Sequence, residues 1–167
     1  MQRGSSTSLF LILVAIAAAF VWLTGRFLPD TVASHFNAAG AANSFMPRSI
    51  YVSFMLVIIV ALPLALVFLP SLALSSPRAR INLPNREYWL APERRAETVG
   101  FLRRHSARFG SMLVMFLCYV HWLVVRANAL APPDLSSSWF IGGLVVFVAS
   151  MIAWTAALFG RFRSIPE

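Results

Sequence analysis

A chain of 167 residues that is 59% hydrophobic and only 12% charged, with a mean hydropathy of +0.73, cannot clothe a water-facing surface; soluble domains carry about 25% charged residues. A net charge of +8 and a pI of about 11.5 would ordinarily suggest nucleic acid, but the basic residues lie between apolar runs, so no nucleic-acid partner is expected. The single cysteine, Cys118, sits inside an apolar run and excludes a disulfide framework or a multi-Cys zinc site.

Four segments have the length a bilayer demands, about 20 mostly apolar residues: 9–28, 50–74, 111–130 and 139–159. The first is longer than a signal-peptide core and three further spans follow, so it is read as an uncleaved helix. No Cys follows it to take a lipoprotein anchor. Ala15 and Ala19 in this span, and Ala149, Ala153 and Ala157 in the last, are spaced by four. Small residues at that spacing let helices approach closely in lipid, which predicts that the first and fourth spans are neighbours.

Between the first two spans lies the loop 29–49, which contains "HFNAAG". Asn bonds readily to its own backbone and Gly accepts positive φ, so this reads as a structured turn. His35 could act as a ligand or an acid/base, but it has no second His and no neighbouring Glu. In the second span Pro63 removes a backbone hydrogen bond and predicts a kink.

The loop 75–110 holds eight Arg and three Glu. Pro77, Pro84 and Pro92 argue against a continuous helix through its first part, and a helix start is signalled at Pro92. From there Ala96, Val99, Leu102, Ala107 and Phe109 share a broad face, interrupted by Arg95 and Arg103. That predicts an interfacial helix leading into the third span. "REYWL", Arg86 to Leu90, presents Tyr88 and Trp89 as residues of the kind found at binding hot spots. With Arg86, Arg94 and Arg95 they form a candidate docking surface.

In the third span His121 is an intramembrane polar residue that faces the bundle interior. With no carboxylate in any span, it reads as a neutral His bonded to a hydroxyl such as that of Ser53, Ser150 or Thr155. Arg126 and Arg26 lie near helix ends where Arg can reach the interface. Asp30 and Asp134 are near in sequence, which suggests a charge cluster there. Pro132-Pro133 stop the third helix, and "APPDLSSS" connects it to the fourth.

Eleven Arg fall on the side of the termini and the 75–110 loop, and three (Arg26, Arg48, Arg126) on the other. The positive-inside rule then makes both termini cytoplasmic and the 29–49 loop external, with Tyr51 and Trp139 at the outer interface. The expected architecture is an all-α polytopic membrane protein, a single domain over 1–167. It is a four-transmembrane-helix bundle with a structured external loop and a basic cytoplasmic loop containing an interfacial helix. Its lipid partner is a bilayer with an anionic inner leaflet. No P-loop, Gly-x-Ser-x-Gly or His-Glu-x-x-His is present, and no cofactor, metal or enzymatic activity is expected.

"LPDTVASHFNAAG" resembles the signature of a bacterial membrane domain of unknown function found in SdpI-type immunity and signalling proteins. Leu28-Pro29, His35-Phe36-Asn37, Gly40 and Arg48 carry the likeness, and "NLPNREYWLAPERRAE" is similar to a segment of short stand-alone members. The chain departs from the pattern with Val32-Ala33 before the His and Ala42-Asn43 after the Gly. The resemblance implies a bacterial inner-membrane protein that senses, or protects against, a peptide. A protein or peptide partner would meet Pro29, Asp30, His35, Phe36, Asn37, Gly40 and Arg48. The alternatives are an accessory subunit of a larger membrane complex and a small membrane metal protein or enzyme.

Overall fold

The computed structural model of the chain describes residues 5–75 and 82–165. Its order is α1 (Ser5–Gly25), β1 (Thr31–Phe36), β2 (Ala42–Pro47), α2 (Arg48–Ser75), α3 (Arg86–Trp89), α4 (Pro92–Asn128) and α5 (Ser137–Arg163). Four of these helices are long and apolar enough to cross a membrane. The expected spans each fall within one of them, give or take a few residues at the ends. Arg3, Arg78, Arg80 and Pro77, which entered the reading of orientation and helix breaks, lie outside the described residues.

The core is a three-helix junction. α1 contributes Phe10, Val14, Ala17 and Val21, spaced four and three apart along one face. These meet Tyr51, Met55, Ile59 and Val67 of α2 and Ala107, Val114 and Val124 of α4. Gly110 of α4 sits where all three helices converge. A Cβ there would lie 2.5 Å from Val67 Cγ2 and 2.8 Å from Phe10 Cε2. The opposite faces of the helices expose Leu9, Ile16, Trp22, Phe54, Leu69 and similar residues, as lipid-facing surfaces should.

Two expectations change. First, the interfacial helix and the third span are one unbroken helix, the 37-residue α4. At 1.5 Å per residue it is about 55 Å long, well beyond a hydrocarbon core of about 30 Å. Its buried face before the membrane is Thr98, His105 and Ala107, whereas Ala96 is exposed. Second, α1 and α5 do not pair through their alanines. The packing of α5 is on α4; Ala15, Ala19, Ala149, Ala153 and Ala157 are all exposed. α5 itself buries only Phe162 among the described residues. α2 is one helix that carries Pro63 and Pro70 within it, with Pro63 fully buried.

The loop 29–49 adds a small β element to the helical bundle. β1 and β2 pair antiparallel as a hairpin, with Val32 opposite Met46 and Ala33 opposite Phe45.

Candidate functional site

The hairpin is built from its turn outward. Asn37 Oδ1 accepts the N–H groups of Ala39 (2.9 Å) and Ala41 (3.0 Å), and Gly40 N–H donates to the Asn37 carbonyl (2.9 Å). Gly40 has φ +95°, and a Cβ on it would collide with the Leu135 carbonyl oxygen. The expected structured turn is therefore present, and Asn37 and Gly40 are the residues that shape it.

At its base the hairpin is closed by Arg48. Its backbone N–H donates to the Asp30 carbonyl (2.9 Å), Nη1 donates to the Leu28 carbonyl (2.9 Å), and Nη2 pairs with Asp30 Oδ1 (2.9 Å). Pro29 is exposed beside this junction and Leu28 is buried. The suggested cluster of Arg26 and Arg126 with Asp30 and Asp134 does not form. Asp30 is taken by Arg48, while Arg26 lies over Trp22 (5.7 Å) and Arg126 over Trp122 (5.3 Å). Each of these Arg thus lies over an indole face four residues earlier in the chain.

Three contacts seat the hairpin on the bundle. Asn128, at the end of α4, pairs with Ala33 through both amide atoms: Oδ1 accepts its N–H (2.8 Å) and Nδ2 donates to its carbonyl (3.0 Å). Leu135 N–H donates to the Gly40 carbonyl (2.8 Å) and Ser137 Oγ donates to the Ala38 carbonyl (3.0 Å). Phe36 is half-buried against the core, whereas His35 is exposed, with Nδ1 3.1 Å from Ser34 Oγ.

Beneath the hairpin His121 is fully buried. Thr24 Oγ1 donates its one hydrogen to the Phe20 carbonyl (2.6 Å), so at 2.8 Å it can only accept from His121 Nε2–H. Nδ1 is then the acceptor for the Tyr51 hydroxyl (3.0 Å). His121 is bonded to hydroxyls, as expected, and a neutral ring is fully satisfied there, but the partners are Thr24 and Tyr51 rather than Ser53, Ser150 or Thr155. Tyr51 is accordingly buried and not part of an interfacial belt; Trp139 is exposed at the start of α5.

At the Arg-rich end the candidate docking residues divide. Trp89 is buried, packed edge-on against Phe162 (5.4 Å) with Arg161 over its ring (5.5 Å). It is therefore not an exposed hot spot. The Trp89 carbonyl accepts Thr98 Oγ1 (2.7 Å), and Asn85 Nδ2 donates to the carbonyls of Phe162 and Arg163, which draws the end of α5 onto this corner. Tyr88 is half-buried under Arg94 (4.0 Å), Arg95 is half-buried, and Arg86 and Arg94 are exposed. Arg161 pairs with Glu97 (2.7 Å). Among the described residues no three His, Cys, Asp or Glu side chains gather as a metal site would require.

Sequence reasoning missed Asn128, His105 and Trp154. Asn128 follows an apolar run and reads locally as a helix end. His105 and Trp154 pair reciprocally, Nε2 to the Trp154 carbonyl (3.1 Å) and Nε1 to the His105 carbonyl (3.0 Å), across 49 residues of chain.

These features define a multi-pass membrane protein with a β-hairpin hydrogen-bonded to one end of its helical bundle. Residues 9–61, which span α1, the hairpin and the first half of α2, match the family described as "Domain of unknown function (DUF1648)". Neither a curated protein nor a solved structure matches the chain.

Proposed function

We propose that the protein is a non-enzymatic membrane sensor or immunity-like protein of the SdpI type. It recognises a peptide or protein partner through its outer hairpin and faces its Arg-rich end to the cytoplasm of a bacterium. The observation that carries this reading is the free edge of β2. Asn128 takes both backbone groups of Ala33, so Ala33 and Phe45 are a non-hydrogen-bonded pair, and the Phe45 N–H and carbonyl point away from β1. Pro47 lies in the same phase, opposite Thr31, where its missing N–H costs no ladder bond. An extended peptide can add to such an edge as a third strand. Asn43, Ser44 and Phe45 are all exposed along it.

The test is photo-cross-linking in native membranes from a probe at Ser44, with the captured species identified by mass spectrometry. A Phe45→Pro variant removes the outward N–H without touching the β1 ladder, and His35→Ala removes the exposed ring. Loss of one defined cross-linked peptide or protein in Phe45→Pro, with folding kept, is the expected result. A cross-link retained by both variants would move recognition to other exposed residues of the hairpin, away from the Phe45 edge and the His35 ring. No defined species in wild type would overturn the recognition reading.

The alternative, an accessory subunit of a larger complex, draws on α5. A groove of about 660 Å³ runs between α4 and α5, lined by Phe116, Tyr119, Gly142, Gly143 and Phe147, and is open to another helix. Stoichiometric copurification with a second membrane protein, lost when Gly142 is changed to Leu, would favour it.

A further inference from the structure

On the Arg-rich half of the bundle a second groove, of about 680 Å³, lies over α4 between α1 and α5. We propose that it binds one phospholipid of the leaflet on that side, with an anionic headgroup that also carries free hydroxyls, as a phosphoglycerol does.

The groove combines two chemistries side by side. Its apolar wall is Leu9, Met112, Ala153 and Ala157, and the two alanines leave room for an acyl chain. His105, Arg108 and Ser111 of α4 form a polar strip beside that wall, with Ser6 and Ser150 also in the lining. The strip sits where α4 passes from its basic turns into its apolar span, the depth at which a phosphate group lies. Arg108 is exposed and makes no ion pair among the described residues, so its guanidinium is available to a phosphate.

His105 supplies the second observation. It is only 4% exposed and its ring is stacked between Phe101 (5.3 Å) and Trp154 (4.4 Å). Nε2 faces the Trp154 carbonyl and therefore carries a hydrogen. Nδ1 is buried and has no hydrogen-bond partner among the described residues. Buried polar atoms are nearly always paired. A neutral Nδ1 needs a donor, which a headgroup hydroxyl supplies and a fully ionised phosphate or a choline does not. Arg108 thus selects the charge and His105 the hydroxyl.

The full-length protein would be delipidated in mild detergent and placed in vesicles holding equal phosphatidylglycerol and phosphatidylcholine, then re-extracted, and its retained lipid counted by native mass spectrometry. Wild type should keep about one phosphatidylglycerol per chain. Arg108→Gln should lower that retention about fivefold, the equivalent of one Arg at an anionic surface. Ala153→Leu should abolish retention by filling the groove without altering any charge. His105→Phe keeps the stack and should erase the preference for phosphatidylglycerol over phosphatidic acid in a second mixture. Arg104→Gln, on the same helix but outside the groove, is the control. If Arg104→Gln lowers retention as much as Arg108→Gln, the attraction is general and the site is refuted. Undiminished retention in a folded Ala153→Leu would also refute it. Should that variant misfold, Ala157→Leu decides the same point.

Discussion

The two hydroxyls around His121 determine which ring nitrogen carries the proton, and that makes the site sensitive to single atoms. Tyr51→Phe removes the donor to a fully buried Nδ1. Its expected cost is about 1–2 kcal/mol, the range for an orphaned polar group in lipid and in protein interiors. A lower thermal midpoint in mild detergent measures it. An unchanged midpoint would mean that another donor replaces Tyr51. Gly40 is the other sensitive position. Gly40→Ala combines positive φ with a collision against the Leu135 carbonyl and should cost about 1–3 kcal/mol. Faster proteolysis of the hairpin in intact membranes is its readout. The two positions differ in legibility. Gly40 could be read from "NAAG", because the turn closes on itself within four residues. The partners of His121 could not, since Thr24 and Tyr51 are 97 and 70 residues away.

Elements in this protein are joined by polar contacts at their ends and apolar contacts along their lengths. Asn128 is the clearest joint, one amide answering both backbone groups of Ala33. Asn128→Leu keeps the helix but strands that N–H and carbonyl, and hydrogen exchange at the Ala33 amide should accelerate at least tenfold, the equivalent of about 1.4 kcal/mol. At the other end of α4 the ion pair and the aromatic cluster should behave differently. Arg161 and Glu97 are 35% and 71% exposed, so Glu97→Gln should change stability by less than about 1 kcal/mol. Trp89→Ala empties a buried corner shared with Phe162 and should cost about 3 kcal/mol or more. Equal thermal shifts in the two variants would contradict that division. The helix start at Pro92 was legible from its first-turn proline and early glutamates. The inward turn of Trp89 was not, because it depends on Phe162 at the end of α5, more than 70 residues later.

The molecule as a whole is a tight α1–α2–α4 bundle with α5 laid against one side and a hairpin fastened over the other end of α4. Its orientation is tested by cysteine labelling in a Cys118→Ser background. Ala39→Cys, on the exposed turn, should react with a membrane-impermeant reagent in intact cells. Glu87→Cys, exposed at the Arg-rich end, should react only after the membrane is opened. The reverse pattern would invert the molecule and put the hairpin edge on the cytoplasmic side, which would end the proposal of an external partner.

Span number, span length and the charge imbalance between the two sides were determined by the sequence alone. Each is a sum of local transfer free energies between water and hydrocarbon, and no distant residue alters it. The turn at Asn37–Gly40 belongs with these, being a matter of neighbouring backbone. Which helices touch was decided only by the tertiary structure. Within lipid no hydrophobic force draws one apolar helix to another, so side-chain fit and a few polar joints choose the neighbours. The evenly spaced alanines of α1 and α5 looked like such a fit, yet Gly110, beneath Phe10 and Val67, marks where the helices meet. Ala153 and Ala157 of α5 instead border an open groove beside Arg108 and His105.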